Sequence, residues 1–272
     1  MRSAITPLSI ATPRTLGDAL SMLRDAPLVP IAGATDLYVG LNFGTLTSQH
    51  FIDLTRIDEL RAIDVRGDVL VIGAGTNFTA LMQSATVQTR LPMLAQAASQ
   101  IGGVQIQNRG TIGGNIANGS PAGDSLPVLA VTDAILVLRS ASAERRVPFT
   151  SFYTGYRASV LRSDELIVSI EIPAVDGKQW FRKVGTRAAQ AISKLVIAAV
   201  RSNTPRIAIG SVAATTVRLP RTEAALASGA SVDDAVNTLE AEIMPIDDVR
   251  SSADYRRQVA GNLLRRFWAE TG

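Results

Sequence analysis

Thr111-Ile112-Gly113-Gly114-Asn115, with Pro121 and Asp124 downstream, is the stretch on which the fold turns. Adjacent glycines let a backbone approach a ligand closely, with a small hydroxyl and an amide beside them. Asp124 adds a carboxylate able to hold a ribose hydroxyl. Upstream, Ile31-Ala32-Gly33-Ala34-Thr35-Asp36-Leu37 forms a second glycine segment that ends in a hydroxyl and a helix start. Successive exposed N–H groups make an anion-binding concavity, and a helix N-terminus adds its dipole. Either segment alone reads equally well as a tight turn. Together, with the glycine- and asparagine-rich stretch from Gly102 to Gly123 read as a long functional loop, they read as a dinucleotide gripped from two sides. The ligand class is a flavin or a nicotinamide, held without the Rossmann arrangement.

Other motifs carry less. Gly73-Ala74-Gly75-Thr76-Asn77-Phe78 lies between a strand and a helix, but Phe78 stands where a Rossmann loop needs its third glycine. No Walker loop, zinc-protease HExxH or nucleophile elbow is present. Asp58-Glu59 and Asp247-Asp248 read as solvated carboxylate pairs, and the single histidine, His50, as loop or strand-end structure. Without cysteine the chain supplies no disulfide, iron–sulfur ligand or zinc thiolate. At 272 residues, 46% hydrophobic and 19% charged, it has enough material for one large or two modest globular domains. A net charge of +3 gives nucleic-acid binding little support. Met1 to Ala11 has no signal-peptide pattern, and no apolar run reaches the roughly 18 residues of a membrane span, so a cytoplasmic protein is expected.

Periodicity predicts an α+β chain. Thr15 caps a helix with Leu16, Ala19, Leu20 and Leu23 on one face. Strands are expected at Val29 to Ala32, Phe51 to Leu54, Ala62 to Val65, Val69 to Ile72, Ala134 to Arg139, Arg145 to Pro148 and Leu166 to Ile172. Helices fall near Phe78 to Ala85 and Leu91 to Ile101. After a turn-rich junction at Ala174 to Lys178, three strands follow in meander order: Trp180 to Thr186, Lys194 to Val200 and Arg206 to Ser211. Helices near Thr222 to Ala227, Val232 to Glu240 and Ser252 to Ala269 close the chain. The last has a core stripe of Tyr255, Val259, Leu263, Leu264 and Phe267, with Arg256, Arg257, Arg265 and Arg266 largely on its solvated side.

The two glycine segments resemble the flavin-binding signatures of the FAD-binding medium subunits of molybdenum hydroxylases, the xanthine dehydrogenase and carbon monoxide dehydrogenase type. Phe152 to Arg157 with Asp164 to Pro173 is similar to the end of that family's FAD domain. Phe181 to Arg187 with Ala189 to Ile192 resembles the opening of its C-terminal domain. The resemblance implies an FAD-binding domain of the vanillyl-alcohol oxidase (PCMH) type over residues 1–174. It also implies a smaller α+β domain with a three-stranded antiparallel sheet over 178–272. By motif, Pro30, Ile31, Ala32, Gly33, Ala34, Thr35, Asp36 and Leu37 would hold the FAD pyrophosphate together with Thr111, Ile112, Gly113, Gly114 and Asn115. Asp124 would take a ribose or adenine-side hydroxyl, and Ile101 would line the adenine side. Ile167 would contact the adenosine half, Lys183 would reach the flavin region, and Ile192 would lie against the isoalloxazine face. Ala34 departs from the commoner second glycine, and its methyl tolerates fewer backbone conformations.

The resemblance further implies an electron-transfer role. A small ferredoxin-like subunit with 2Fe–2S clusters and a large molybdopterin subunit would be partners, in a dimer of heterotrimers. The acceptor would be NAD+, oxygen or a quinone, with no metal bound by this chain and no catalytic acid or base required of it. Two other readings stay open: a self-contained flavin oxidoreductase resembling UDP-N-acetylmuramate dehydrogenase, and a non-catalytic binding module on the same fold.

Overall fold

The computed structural model describes residues 8–272, so most of the Met1 to Ala11 stretch lies outside it. The first element is β1 (Ser9–Ala11), followed by α1 (Leu16–Asp25). The Thr15 hydroxyl accepts the Asp18 N–H at 3.1 Å, and Leu16, Ala19, Leu20 and Leu23 are all buried, as their spacing predicts. β2 (Val29–Ile31) runs into the first glycine segment, α2 (Leu37–Phe43) leaves it, and β3 (His50–Asp53) follows. β3 pairs in parallel with β1 on one side and β2 on the other, and α1 closes this sheet over Ile52, Ile57 and Leu60. His50 opens β3 at the surface, bonded to the Ser9 hydroxyl at 2.7 Å, which is a strand-end role.

β4 (Ile63–Arg66) and β5 (Val69–Gly73) form a hairpin. Six helices come next: α3 (Phe78–Gln83), α4 (Ala85–Arg90), α5 (Pro92–Ser99), α6 (Val104–Gln107), α7 (Ile112–Asn118) and α8 (Leu126–Val131). Then come the hairpin of β6 (Ile135–Arg139) and β7 (Glu144–Pro148), the short pair β8 (Tyr153–Gly155) and β9 (Ala158–Ser159), and β10 (Leu166–Ile172). The antiparallel sheet β4-β5-β10-β6-β7 carries the main core on its helical side. The stretch from Gly102 to Gly123 is therefore not one long loop, because α6 and α7 interrupt it. Its glycines and asparagines are poor helix formers, yet the Thr111 cap and the burial of Ile112 and Ile116 hold α7 in place.

The Gly73-Ala74-Gly75 stretch is a packing joint. The Gly73 N–H bonds Ala62 O at 2.7 Å, that of Gly75 bonds Leu60 O at 2.7 Å, and that of Ala74 bonds Val168 O at 3.0 Å. A Cβ on Gly73 would sit 2.6 Å from the Leu60 carbonyl carbon. The glycines let the end of β5 cross the backbone at Leu60.

The second region holds β11 (Lys178–Val184), β12 (Leu195–Arg201), β13 (Arg206–Gly210), β14 (Val217–Arg218), α9 (Pro220–Ala227), α10 (Val232–Glu242) and α11 (Ala253–Thr271). Its antiparallel sheet has a fourth, two-residue strand beyond the three expected. Ion pairs fix that edge: Arg218 meets Asp133 at 2.9 Å and Glu223 at 2.5 Å. β12 is apolar on both faces. Leu195, Ile197 and Ala199 pack toward the C-terminal helices, while Val196, Ala198 and Val200 join the main core beside α8. The two regions thus share one apolar seam, and the functional cleft opens along it.

One reading of α11 is corrected. Arg256 is only 3% exposed; it donates to Ile246 O at 2.9 Å and to Asp248 Oδ1 at 2.7 Å. It falls on the inner face because it precedes Ala260, Leu263, Leu264 and Phe267 at helical spacing. Asp247 and Asp248 are correspondingly not a plain solvated pair, since Asp247 Oδ1 accepts the Ala253 N–H at 2.6 Å.

Candidate functional site

The two glycine segments touch. A Cβ on Gly33 would overlap the Arg109 carbonyl oxygen and lie 2.8 Å from Gly110 Cα, so only glycine permits the approach. In the first segment the N–H groups of Gly33, Ala34, Thr35 and Asp36 donate to no acceptor among the described residues. Four successive free donors leading into α2 form an anion cradle. Since α2 is only two turns long and has no buried residue, the amides rather than its dipole provide most of the attraction.

Ala34 sits in this cradle at φ 59°, a left-handed conformation that a Cβ disfavours. Ala34→Gly is expected to relieve it, raising stability by about 1 kcal/mol in thermal unfolding, with FAD affinity unchanged or improved. Left-handed non-glycine residues gather nearby: Arg157, Gln190 and Ser211, at φ 51°, 53° and 67°, all line the cleft. Held strain of this kind concentrates at functional sites.

The second segment behaves differently from the amide cradle its glycines suggest. Its N–H groups are used within the protein: Ile112 to Thr76 O, Gly113 to Ala74 O, Gly114 to the Thr111 hydroxyl and Asn115 to Thr111 O. What it presents is the start of α7. Gly113 is buried, and a Cβ there would meet Ala74 Cβ at 2.6 Å. Gly114 is exposed, its nearest neighbour to a Cβ being the Thr111 hydroxyl at 3.0 Å. The Asn115 side chain lines the cleft and accepts from Ser125 at 2.6 Å. Tyr153 braces the far end of α7 by donating to Ile116 O at 2.8 Å, and burial pushes its hydroxyl pKa up. That tie sets the following Tyr156-Arg157 turn at the cleft rim.

The cleft itself has a volume of about 850 Å³ and is walled by both regions. Of the residues singled out in the sequence, Asp36, Ile101, Asn115, Asp124 and Ile192 line it. Lys183 joins them through Asp124, 2.7 Å away. Pro30 is exposed on β2, Ile31 and Leu37 are half-buried around the cradle, and Ile112 is wholly buried under α7. The Ile167 side chain is packed in the main core, on the strand β10 in the middle of its sheet. Ser193, Ser211, Gln190 and the loop carrying Met244 and Ile246 also line it and were not legible as site residues. Behind that loop, burial alone would raise the Asp248 carboxyl. Arg256 and the N–H groups of Arg250 and Ser251 outweigh it and hold it at about 2.

A run of free amides ending at Asp36 on the wall of a cleft between the two regions, with an acidic and a basic side chain paired at its floor, suits a dinucleotide held without the Rossmann arrangement. Residues 6–175 match the family described as FAD binding domain in molybdopterin dehydrogenase, and residues 179–271 the CO dehydrogenase flavoprotein C-terminal domain. The chain is 35% identical to the carbon monoxide dehydrogenase medium chain of Hydrogenophaga pseudoflava over 93% of each chain. It is 32% identical to the xanthine dehydrogenase FAD-binding subunit of Escherichia coli O157:H7, over 94% of this chain and 93% of that one. A solved carbon monoxide dehydrogenase chain from H. pseudoflava superposes with a TM-score of 0.91 at 32% identity, covering 98% and 99% of the two chains. The chain belongs to the FAD-binding medium subunits of the molybdenum hydroxylase family. It is a flavoprotein oxidoreductase subunit, and FAD is its cofactor. The unpartnered amides of Gly33 to Asp36 suit a pyrophosphate, and the cleft is large enough for a dinucleotide. Among the described residues no helix is long and apolar enough to cross a membrane.

Proposed function

We propose that this chain is the electron-relay subunit of a heterotrimeric molybdenum hydroxylase working in the cytoplasm. It takes electrons from the 2Fe–2S clusters of a small partner subunit and delivers them to NAD+, oxygen or a quinone. Substrate oxidation belongs to a large molybdopterin subunit, and the whole assembles as a dimer of heterotrimers. The medium chains of carbon monoxide dehydrogenase among its relatives support that subunit arrangement by name.

FAD supplies the redox chemistry when bound; the chain binds and orients it. The Gly33 to Asp36 amides would hold the pyrophosphate, as part of the run Pro30 to Leu37. Thr111 to Asn115 would bound it from the other side with the Asn115 amide and the bare Cα of Gly114. Ile101 would face the adenine side, Ile167 the adenosine half, and Ile192, exposed at the rim, the isoalloxazine. Asp124 and Lys183 would meet the cofactor at the seam, between an FAD domain spanning 1–174 and a C-terminal domain spanning 178–272.

The observation that carries this reading is the run of free amides from Gly33 to Asp36, whose last residue lines a cleft walled by both regions. The test is anaerobic reduction of the FAD-loaded chain by a reduced 2Fe–2S ferredoxin, then reoxidation by NAD+, oxygen or a quinone. We expect rapid reduction, reoxidation by one acceptor far faster than by the others, and no turnover of organic substrates. Steady turnover of an organic substrate by the lone chain would contradict the assignment.

A further inference from the structure

Three buried polar side chains meet at the cleft floor, drawn from both sides of the seam. Asp124 lies on the turn before α8, Lys183 near the end of β11 and Ser193 just ahead of β12. Lys183 Nζ donates to Asp124 Oδ2 at 2.7 Å and to Gln100 O at 2.8 Å, while the Ser193 hydroxyl makes a short bond to Asp124 Oδ1. The Lys183 and Asp124 side chains are 6% and 8% exposed, and Ser193 is 1% exposed. An ammonium or a carboxylate alone at such a place would carry a heavy desolvation penalty; together, with every carboxylate oxygen engaged, they offset one another.

The other charged groups of the cleft lining are Asp36, Arg157, Asp248, Arg250 and Arg256. Arg256 is committed to Asp248, and the Asp124–Lys183 pair is a buried charge couple that joins the two regions. Burial pushes the Asp124 carboxyl up, and Lys183 and Ser193 pull against it. Ser193 therefore helps keep Asp124 ionised opposite Lys183.

We propose that Asp124, Lys183 and Ser193 form a charge-balanced clamp in which Ser193 is a positioning residue. Asp124 fixes and neutralises Lys183 beside the flavin, and the pair sets the flavin's reduction potential where the lysine alone would raise it. The proposal rests on the reading above that FAD fills the cleft with Lys183 toward the flavin, and it moves Asp124, 2.7 Å from Lys183 and bonded to the Ser193 that follows Ile192, from the adenine-side hydroxyl to the flavin half. The physical reason is local charge: reduction adds negative charge to the flavin, an unbalanced cation nearby favours it, and an unbalanced anion opposes it.

The test uses the full chain loaded with FAD, in parent form and as Asp124→Asn, Lys183→Met, the double variant, Ser193→Ala and Ser193→Thr. FAD content is measured first, then the midpoint potential by dye-equilibrated titration. Asp124→Asn is expected to raise the potential and Lys183→Met to lower it, the latter read at alkaline pH where the unpaired Asp124 stays ionised, with the double variant returning close to the parent. Ser193→Ala should shift the potential upward, as Asp124→Asn does but less, and Ser193→Thr should restore it. If the parent holds no FAD, the functional reading fails and the clamp falls with it. If the parent holds FAD but both single charge variants shift the same way, or the double stays displaced, the clamp is overturned while the functional reading stands. Should a charge variant lose FAD, the serine pair decides: a Ser193→Ala potential equal to the parent's overturns the proposal.

Discussion

Replacing Gly33 with alanine is expected to strip FAD from the purified chain. The added Cβ would overlap the Arg109 carbonyl oxygen and stand 2.5 Å from its carbon and 2.8 Å from Gly110 Cα. All of these are backbone atoms at the entry to α7, so no side chain can rotate away to make room. The first segment must then lift off the entry to α7, and the free amides of Gly33 to Asp36 are carried away with it. Overpacking of this kind costs about 1–3 kcal/mol, a fraction of a typical domain's stability, so the chain should stay folded with a modestly lowered Tm. The measurements are bound flavin per chain and circular dichroism on the same sample. Flavin retained at the parent ratio would remove the cradle from the site.

The adjacent glycines of the second segment should separate fold from function. Gly114 is exposed, and a side chain there meets only the Thr111 hydroxyl at 3.0 Å, so Gly114→Val should leave the chain folded. Its branched side chain would instead stand on the face that the cofactor needs, and FAD should be lost. Gly113 is buried against Ala74, with Cβ contacts of 2.6 Å to Ala74 Cβ and 2.7 Å to its carbonyl oxygen. Gly113→Ala should accordingly destabilise the whole FAD-binding region, lowering Tm well beyond Gly114→Val. Stoichiometric FAD in folded Gly114→Val would exclude the start of α7 from the pyrophosphate site.

Much of the architecture was legible because local rules and burial agree in it. The Thr15 cap and the Leu16, Ala19, Leu20, Leu23 stripe predict α1, and Leu166 to Ile172 coincides with β10. The glycine segments come together in the structure, but their physical roles differ. Gly33 and Gly113 are there for close packing, and free amides occur in the first segment. That distinction depends on which acceptors the fold brings near, Ala74 O and Thr76 O among them, and local sequence does not contain it. For the same reason α7 was hidden: a Gly-Gly-Asn start argues against a helix until Ile112 and Ile116 are buried beneath it.

Two missed features did leave signals. The unbroken apolar run Leu195 to Val200 marks a strand covered on both faces, and it foretells the shared seam. Arg256 lies at helical spacing from Ala260, Leu263, Leu264 and Phe267, which places its guanidinium among buried groups in need of an acid. The Asp124–Lys183–Ser193 cluster left no such trace, since its members come from separate elements and meet only when the seam closes.

The most direct test of the central claim is the flavin content of the purified full-length chain. It should be incubated with excess FAD, freed of unbound cofactor and read by visible absorbance against protein concentration. About one non-covalently held FAD per chain, released on denaturation and bleached by dithionite, is the expected result. A colourless chain that retains no flavin after that treatment would contradict it.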